Sequence, residues 1–390
     1  MSSITIAVLE WMLILLGHIA IACVLFNHVH AKSSPRFVGK QSRKITEKLI
    51  AAFAIVPVFT FFVWMIPQVG GPHKIPTAIA YYLVFAAIVG TYFSLRWIYR
   101  TLTRKLPLGA IPIETETFDV QKDVRVPLLH RAKGKLLRFF PGNQVTKISI
   151  QQWEFRFKQL PADLDGIKIC QLSDLHFTGL IGREYFEKVV EYANDLKADI
   201  IVITGDLIDS DECLDWIDGT LGKLTARKGV YYILGNHDRL IRDYADYRQR
   251  LANAGLIAAA GTWHSIQFGN AKLLLTGNEL PWFNETNELP PRPEIAGEVF
   301  SLLLSHSPDQ IGWAVQRGFD MMFAGHTHGG QIRLPIVGPI VAPSKYGIKY
   351  ASGTFQIRNT MMHVSRGISG DEPIRINCPP ELGCFTLRKA

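Results

Sequence analysis

The sequence predicts an α/β domain carried behind a bundle of membrane-crossing helices. Three observations lead there. From Ile167 onward, short apolar runs alternate with helical stretches, the pattern of an α/β domain. Ahead of it, three apolar runs crowd into the first 105 positions, each near the roughly 20 residues that a helix needs to cross the hydrocarbon core. Finally, His, Asp and Asn residues fall just after the predicted strands, where ligands gather in open α/β sheets.

The apolar runs cover residues 4–26, 49–66 and 75–98. A signal peptide is a poor account of the first. Met1-Ser2-Ser3-Ile4 lacks a basic leader and no clear cleavage site follows. Helices buried in a soluble protein are the competing account of all three, and the length and clustering of the runs argue against it. Pro57 should kink the second helix. Glu10 and His18 are ionisable residues inside the first span. Such residues can be functional in a membrane, but hydrogen bonding between helices or an interfacial position accounts for them as well.

Charge orients the bundle. Six basic residues (Lys32, Arg36, Lys40, Arg43, Lys44 and Lys48) lie between the first two runs, and only Lys74 lies between the second and third. The chain after the third run is basic again. With three spans, the first loop and everything past the third fall on one side, which the positive-inside rule makes the cytoplasm. The expectation is a multi-pass protein of the cell membrane with a cytoplasmic catalytic domain.

The basic charge is local. Residues 1–105 hold 11 Lys and Arg against Glu10 and Glu47, a balance of +9, while the rest of the chain carries −1. The excess therefore fits anionic headgroups and membrane lipids as partners, and no nucleic-acid partner is expected. The five cysteines, at 23, 170, 213, 378 and 384, have no zinc-site or paired spacing. They read as reduced or inert, which agrees with a cytoplasmic domain.

Residues 106–150 read as a linker between a 1–105 anchor and a 151–390 domain. Within it, residues 128–140 mix Arg131, Lys133, Lys135 and Arg138 with Leu and Phe. That is the composition of a basic amphipathic segment on a bilayer surface; a linker packed on the domain is the other reading. Past it, strands are predicted at 167–172, 200–204, 230–234, 273–277, 299–304 and 319–323. Helices are predicted at 185–195, 240–254 and 308–316.

Chemistry-bearing residues follow these strands in order. They are Asp174-Leu175-His176, Gly205-Asp206-Leu207-Ile208-Asp209, Gly235-Asn236-His237-Asp238, Ser305-His306 and Gly325-His326-Thr327-His328. A lone Asp-x-His is more often a loop cap than a ligand, and a lone Gly-Asn-His-Asp is a plausible tight turn. Five loops carrying imidazole, carboxylate and amide ligands at one end of a sheet instead suit two divalent metals held side by side. That is a tool for hydrolysing phosphate esters.

The ordered set resembles the calcineurin-like metallophosphoesterase family over residues 151–389. The lead-in Leu160-Pro161-Ala162-Asp163-Leu164-Asp165-Gly166 and the tail with Arg366-Gly367-Ile368, Pro373-Ile374-Arg375 and Pro380-Glu381 resemble its bacterial membrane-associated branch. That branch includes phosphodiesterases and UDP-2,3-diacylglucosamine pyrophosphatases. The resemblance implies an α/β fold of two packed β-sheets flanked by helices. It implies one metal on Asp174, His176, Asp206 and His328, and a second on Asp206, Asn236, His306 and His326, with Asp206 bridging. His237 would be the catalytic histidine, acting on the phosphoryl group or the leaving oxygen, and Asp209 would orient it. Oxygen and imidazole donors without thiolate suit manganese, iron or zinc.

Outside the motifs, His264, His363 and Asp238 are assigned to structure. Arg239, Arg333 and Lys345 are candidate phosphate clamps. Asn278-Glu279-Leu280-Pro281-Trp282-Phe283 stands where family members often have an acidic turn. Trp282 and Phe283 would then contact a lipid or a base, or else pack inward. The expected activity is a membrane-anchored, two-metal phosphoesterase cleaving a phosphodiester or pyrophosphate bond, of a lipid or a nucleotide-linked lipid. A tethered phosphodiesterase for soluble substrates is the alternative within the enzyme class. A membrane scaffold that keeps metals for structure is the alternative outside it.

Overall fold

The computed structural model describes residues 3–32, 48, 50, 53, 77–103, 105–137, 139–283, 291–294 and 297–390. The chain divides into two compact units, Met1–Lys105 and Leu106–Ala390.

In the first unit, α1 (Ser3–Lys32) and α2 (Thr77–Thr103) pack together. Both contain a stretch long and apolar enough to cross a membrane, Leu9–Asn27 and Thr77–Thr103. The middle expected span, 49–66, lies almost wholly outside the described residues, as does Pro57. His18 is buried between the helices, where it meets the hydroxyl of Tyr82 and the carbonyl of Phe53. The interhelical hydrogen-bonding account of His18 is the one the structure follows.

The second unit is built on two sheets. One has seven strands in the order β1 (Ala110–Asp119), β2 (Lys147–Phe157), β15 (Glu381–Lys389), β3 (Lys168–Leu172), β4 (Ile200–Thr204), β5 (Val230–Ile233) and β6 (Leu256–Ala258). The other has six, in the order β13 (Gly353–Ile357), β14 (Thr360–Val364), β10 (Met321–Ala324), β9 (Val299–Ser305), β8 (Ala271–Asn278) and β7 (His264–Phe268). Within each sheet the central catalytic strands run parallel: β3 to β6 in one, β8, β9, β10 and β14 in the other. A small hairpin, β11 (Arg333–Leu334) with β12 (Gly338–Pro339), stands apart.

The apolar runs record this layering. In β4, Ile200 and Val202 enter the core between the sheets, beside Phe155, Leu302, Phe323 and Phe385. Ile201 and Ile203 point the other way, into the core formed with Tyr185, Phe186 and Val189 of α4 (Arg183–Asp195) and Tyr247 and Leu251 of α5 (Tyr244–Asn253). A strand covered on both faces loses the apolar–polar alternation and reads as one apolar run. A third cluster closes the outer face of the second sheet against α6 (Ile311–Gln316). The result is helices, sheet, sheet, helices.

Residues 106–150 are more than a linker. They supply β1, paired along its length with β2, and a short helix α3 (Arg131–Leu137). β1 hid in the sequence because it is an edge strand: positions 112–117 are exposed, and Glu114, Thr115, Glu116 and Thr117 break any apolar pattern.

Candidate metal centre

The predicted ligands lie just beyond the carboxyl ends of five parallel strands. Asp174 and His176 follow β3, Asp206 follows β4, Asn236 follows β5, His306 follows β9 and His326 and His328 follow β10. Backbone bonds tie the loops to each other. Asp174 N donates to Gly205 O at 3.0 Å, His176 N to Asp206 O at 3.0 Å, and Gly325 N to His306 O at 2.9 Å. Asp174, His176, Asp206, His326 and His328 all have positive φ, between 47° and 70°. Left-handed backbone is costly for side chains with a Cβ and concentrates at functional sites. Here it turns successive loop side chains into one cluster.

The motif glycines are explained by the same crowding. A Cβ on Gly325 would lie 1.8 Å from Ser173 Oγ and 2.4 Å from Asp174 Oδ2. One on Gly205, which has φ +91°, would lie 2.5 Å from His306 Nδ1. Neither position admits a side chain without moving a candidate ligand.

All seven predicted ligands are brought together, in two groups that share Asp206. The donor atoms of Asp174, His176, Asp206 and His328 lie within 4.8 Å of one another, and so do those of Asp206, His306 and His326. Asn236 Oδ1 joins the second group, 3.1 Å from His306 Nε2. Two features of this protein alone fit such metals. Asp206 Oδ2 is buried without a hydrogen-bond donor, yet it stands 3.1 Å from His306 Nε2 and 3.6 Å from His176 Nε2. And His176 Nε2 faces His328 Nε2 at 3.2 Å, two ring nitrogens directed at one point. The other ring nitrogens are committed elsewhere. His306 Nδ1 donates to Thr204 O at 2.7 Å and His176 Nδ1 to Asp209 at 3.0 Å, which leaves each Nε2 free to bind.

His237 and Asp209 form the adjoining pair. Asp209 Oδ2 accepts from His237 Nδ1 at 2.7 Å, so the orienting contact read from the sequence is present. Asp209 also holds His176, a contact that the sequence reading did not contain. Burial opposes charge on His237, but the Asp209 and Asp206 carboxylates outweigh it and carry its pKa up to about 10. His306 is pushed up to about 9, against burial, by Asp206. Burial would raise Asp209 and Asp206; the neighbouring imidazoles, His176 and His237 for one and His306 and His237 for the other, hold both carboxyls below their usual range. His328 goes the opposite way, driven down by burial and by His176 and Arg375. A cationic His237 beside the ligand cluster suits charge stabilisation or proton donation.

Asp238 does more than its assignment to structure foresaw. Its buried carboxylate accepts from the backbone N–H of Asp206 at 2.9 Å, Leu207 at 3.0 Å, Ile208 at 3.2 Å and Gly235 at 2.7 Å, and from the Tyr247 hydroxyl at 2.7 Å. It thereby pins two ligand loops together. Burial, and then Asp206, raise its pKa to about 7. Trp282 and Phe283 pack inward. Trp282 closes over the imidazoles of His306 and His326, with ring centroids 5.3 and 4.9 Å away, and Phe283 meets Tyr244 and Arg248. Glu279 of the same turn is buried, accepts from Leu234 N at 2.8 Å and pairs with Arg248 at 2.7 Å. Of the clamp candidates, Arg333 is engaged by Gly329 O and the Ser352 hydroxyl, Lys345 lies over the Tyr346 ring, and Arg239 stands two residues from His237. His264 and His363 are structural, bound to Ala258 O and to Thr354 and Glu381.

The chain is similar in sequence to known proteins. The model of the calcineurin-like phosphoesterase family matches residues 167–330. The metallophosphoesterase YkuE of Bacillus subtilis is 31% identical over 234 residues, which are 59% of this chain and 82% of that one. This chain belongs to the calcineurin-like metallophosphoesterase family. It is a metal-dependent phosphoester hydrolase with a candidate site for divalent metal. The phosphodiesterase YaeI of Escherichia coli is 27% identical over 224 residues, covering 56% of this chain and 82% of the relative. A transmembrane protein with a metallophosphoesterase domain from Danio rerio is 27% identical over 259 residues, covering 61% and 56%. As the flanking motifs implied, UDP-2,3-diacylglucosamine pyrophosphatases of Chlamydia are among the relatives, the C. muridarum protein at 24% identity over 60% of this chain and 88% of its own.

Proposed function

We propose that this metallophosphoesterase is a membrane-anchored enzyme with two metals that cleaves a phosphodiester or pyrophosphate bond in a lipid or nucleotide-linked lipid. The convergence of seven ligand-type side chains on the shared carboxylate of Asp206 carries the chemical part of this reading. In it, Asp174, His176, Asp206 and His328 hold one ion, and Asp206, Asn236, His306 and His326 the other. Bound there, such ions would polarise the phosphoryl oxygens and activate water for in-line attack. His237, whose ring lies 4.6 Å from that of His176, would supply positive charge or a proton to the departing oxygen, while Asp209 fixes its orientation.

The membrane part rests on the two long apolar helices, on the +9 balance of residues 1–105, and on relatives named for transmembrane segments and for a lipid-linked pyrophosphate. Each basic residue near an anionic surface contributes on the order of 1 kcal/mol of attraction. Turnover of a phosphate ester in anionic vesicles should exceed that of a matched water-soluble ester, and the preference should fall as salt rises. Equal rates on the two substrates at every ionic strength would leave the tethered phosphodiesterase for soluble substrates. No metal-dependent turnover of either would leave the scaffold.

A further inference from the structure

Two apolar loops far apart in sequence meet on one segment of the catalytic unit. The first is the end of α3 and the turn after it, which present Leu136, Phe139 and Phe140, 74%, 80% and 50% exposed. The second is the β11–β12 hairpin, which presents Ile332, Leu334, Ile336 and Val337, with Ile336 at the tip 90% exposed. Segment 374–377 runs between them. On one side Asn143, whose N–H donates to Phe140 O at 3.1 Å, binds Leu137 O and Pro373 O at 3.0 Å each and bridges to Ile376. On the other side Ile332 bridges to Ile376, and Arg333 N donates to Ile376 O at 2.9 Å. Two strand spacings, roughly 10 Å, therefore separate the loops. The hairpin continues directly from candidate ligand His328, through Gln331 N donating to His328 O at 2.9 Å.

We propose that these loops form a docking surface for an anionic bilayer, which presents the His328 edge of the metal centre to headgroups. Charge selects this occupant. Residues 128–140 hold four Lys and Arg with no acid, and the β11–β12 hairpin holds Arg333 with no acid, in a unit whose balance over 106–390 is −1. A sequence that mixes Lys and Arg with Leu, Ile and Phe suits the boundary between anionic headgroups and acyl chains. A water-soluble protein partner would explain the apolar tips but not the exclusion of acids from both loops.

The inference deepens the lipid-substrate reading and rests on it, but its test is independent of turnover. A spin label at Ile336→Cys, in a Cys23→Ser background, is read in the full-length protein in nanodiscs. The other four cysteines are buried. In discs with anionic lipid the label should collide more with dissolved oxygen than with a water-soluble nickel complex, while a label at Asp215→Cys should show the reverse. The double variant Phe139→Asp/Ile336→Asp alters exposed tips only. It should lower turnover of a vesicle-borne ester roughly 10-fold and leave a soluble ester unchanged. A label at Ile336 as water-exposed as that at Asp215 overturns docking even if vesicle preference persists. Protection of Ile336 only when a soluble protein is added overturns it in favour of a protein partner. A membrane-seated Ile336 without vesicle preference upholds docking and removes the lipid-substrate reading instead.

Discussion

Asp206 stands where the two ligand groups overlap, and its Oδ2 has no donor of its own. Asp206→Asn should therefore strip metal from both positions and lower turnover by more than about 100-fold, beyond the usual effect of an outer partner. Elemental analysis showing full occupancy in that variant would remove Asp206 from the bridging role. Asp209 makes a sharper comparison because it touches both His176 and His237. His237→Gln should cost about 10²–10⁴ in turnover with metal retained, whereas Asp209→Asn should also weaken metal binding by about 10–100-fold. Calorimetric metal titration of the two variants separates these outcomes; equal affinities would confine Asp209 to orienting His237. The placement of every candidate ligand was legible in the sequence because each follows an apolar strand. The service of Asp238 was not, since a carboxylate collecting four backbone N–H groups leaves no pattern of spacing. Nor was the left-handed backbone at five ligand positions, which Asp and His adopt only under tertiary constraint.

The elements were legible to the extent that they are buried on both faces. β4 and β9 announce themselves as apolar runs, but β1 and β2 border solvent and carry mixed sequences, and β15 pairs with β2 and β3 across some 200 residues. β15 also opens on a group that stabilises the fold. Glu381 is buried, pairs with Arg366 at 2.7 Å and accepts from His363 at 3.0 Å. Burial would raise its pKa, but the Arg366 charge and the His363 hydrogen bond bring it down to about 2 from an ordinary 4.5. A carboxyl depressed on folding stabilises the protein above its unfolded pKa, and that stability is lost as pH falls through the folded value. On the order of 3 kcal/mol should thus disappear between pH 4.5 and pH 2. Glu381→Gln, which leaves Arg366 without its carboxylate, should cost about 3–5 kcal/mol at neutral pH and flatten that acid limb. Denaturant unfolding across the range checks both. An unchanged acid limb in Glu381→Gln would assign the loss to other carboxylates.

At the scale of the whole chain, charge bears on which side of a membrane the candidate metal centre would face under the proposed anchoring. Two helices, α1 and α2, are long and apolar enough to span, and a third apolar run at 49–66 lies between them in sequence. Charge is the physical lever, because Lys and Arg near a span resist translocation. Six basic residues follow the first run and only Lys74 follows the second; Arg100, Arg104 and Lys105 then follow the third. That alternation suits an odd number of crossings with both basic segments inside. An even number would place one of them outside, against the bias. Five free cysteines in the described residues, four of them buried, have no need of an oxidising compartment. A reporter that is active only in the cytoplasm, fused after Ala390, should therefore be active, and one active only outside should be silent. Replacing Lys32, Arg36, Lys40, Arg43, Lys44 and Lys48 together by Gln should weaken the bias and send a fraction of the chains in the opposite orientation. An external signal from the unmodified fusion would overturn the cytoplasmic placement, and would put the metal centre against the outer leaflet.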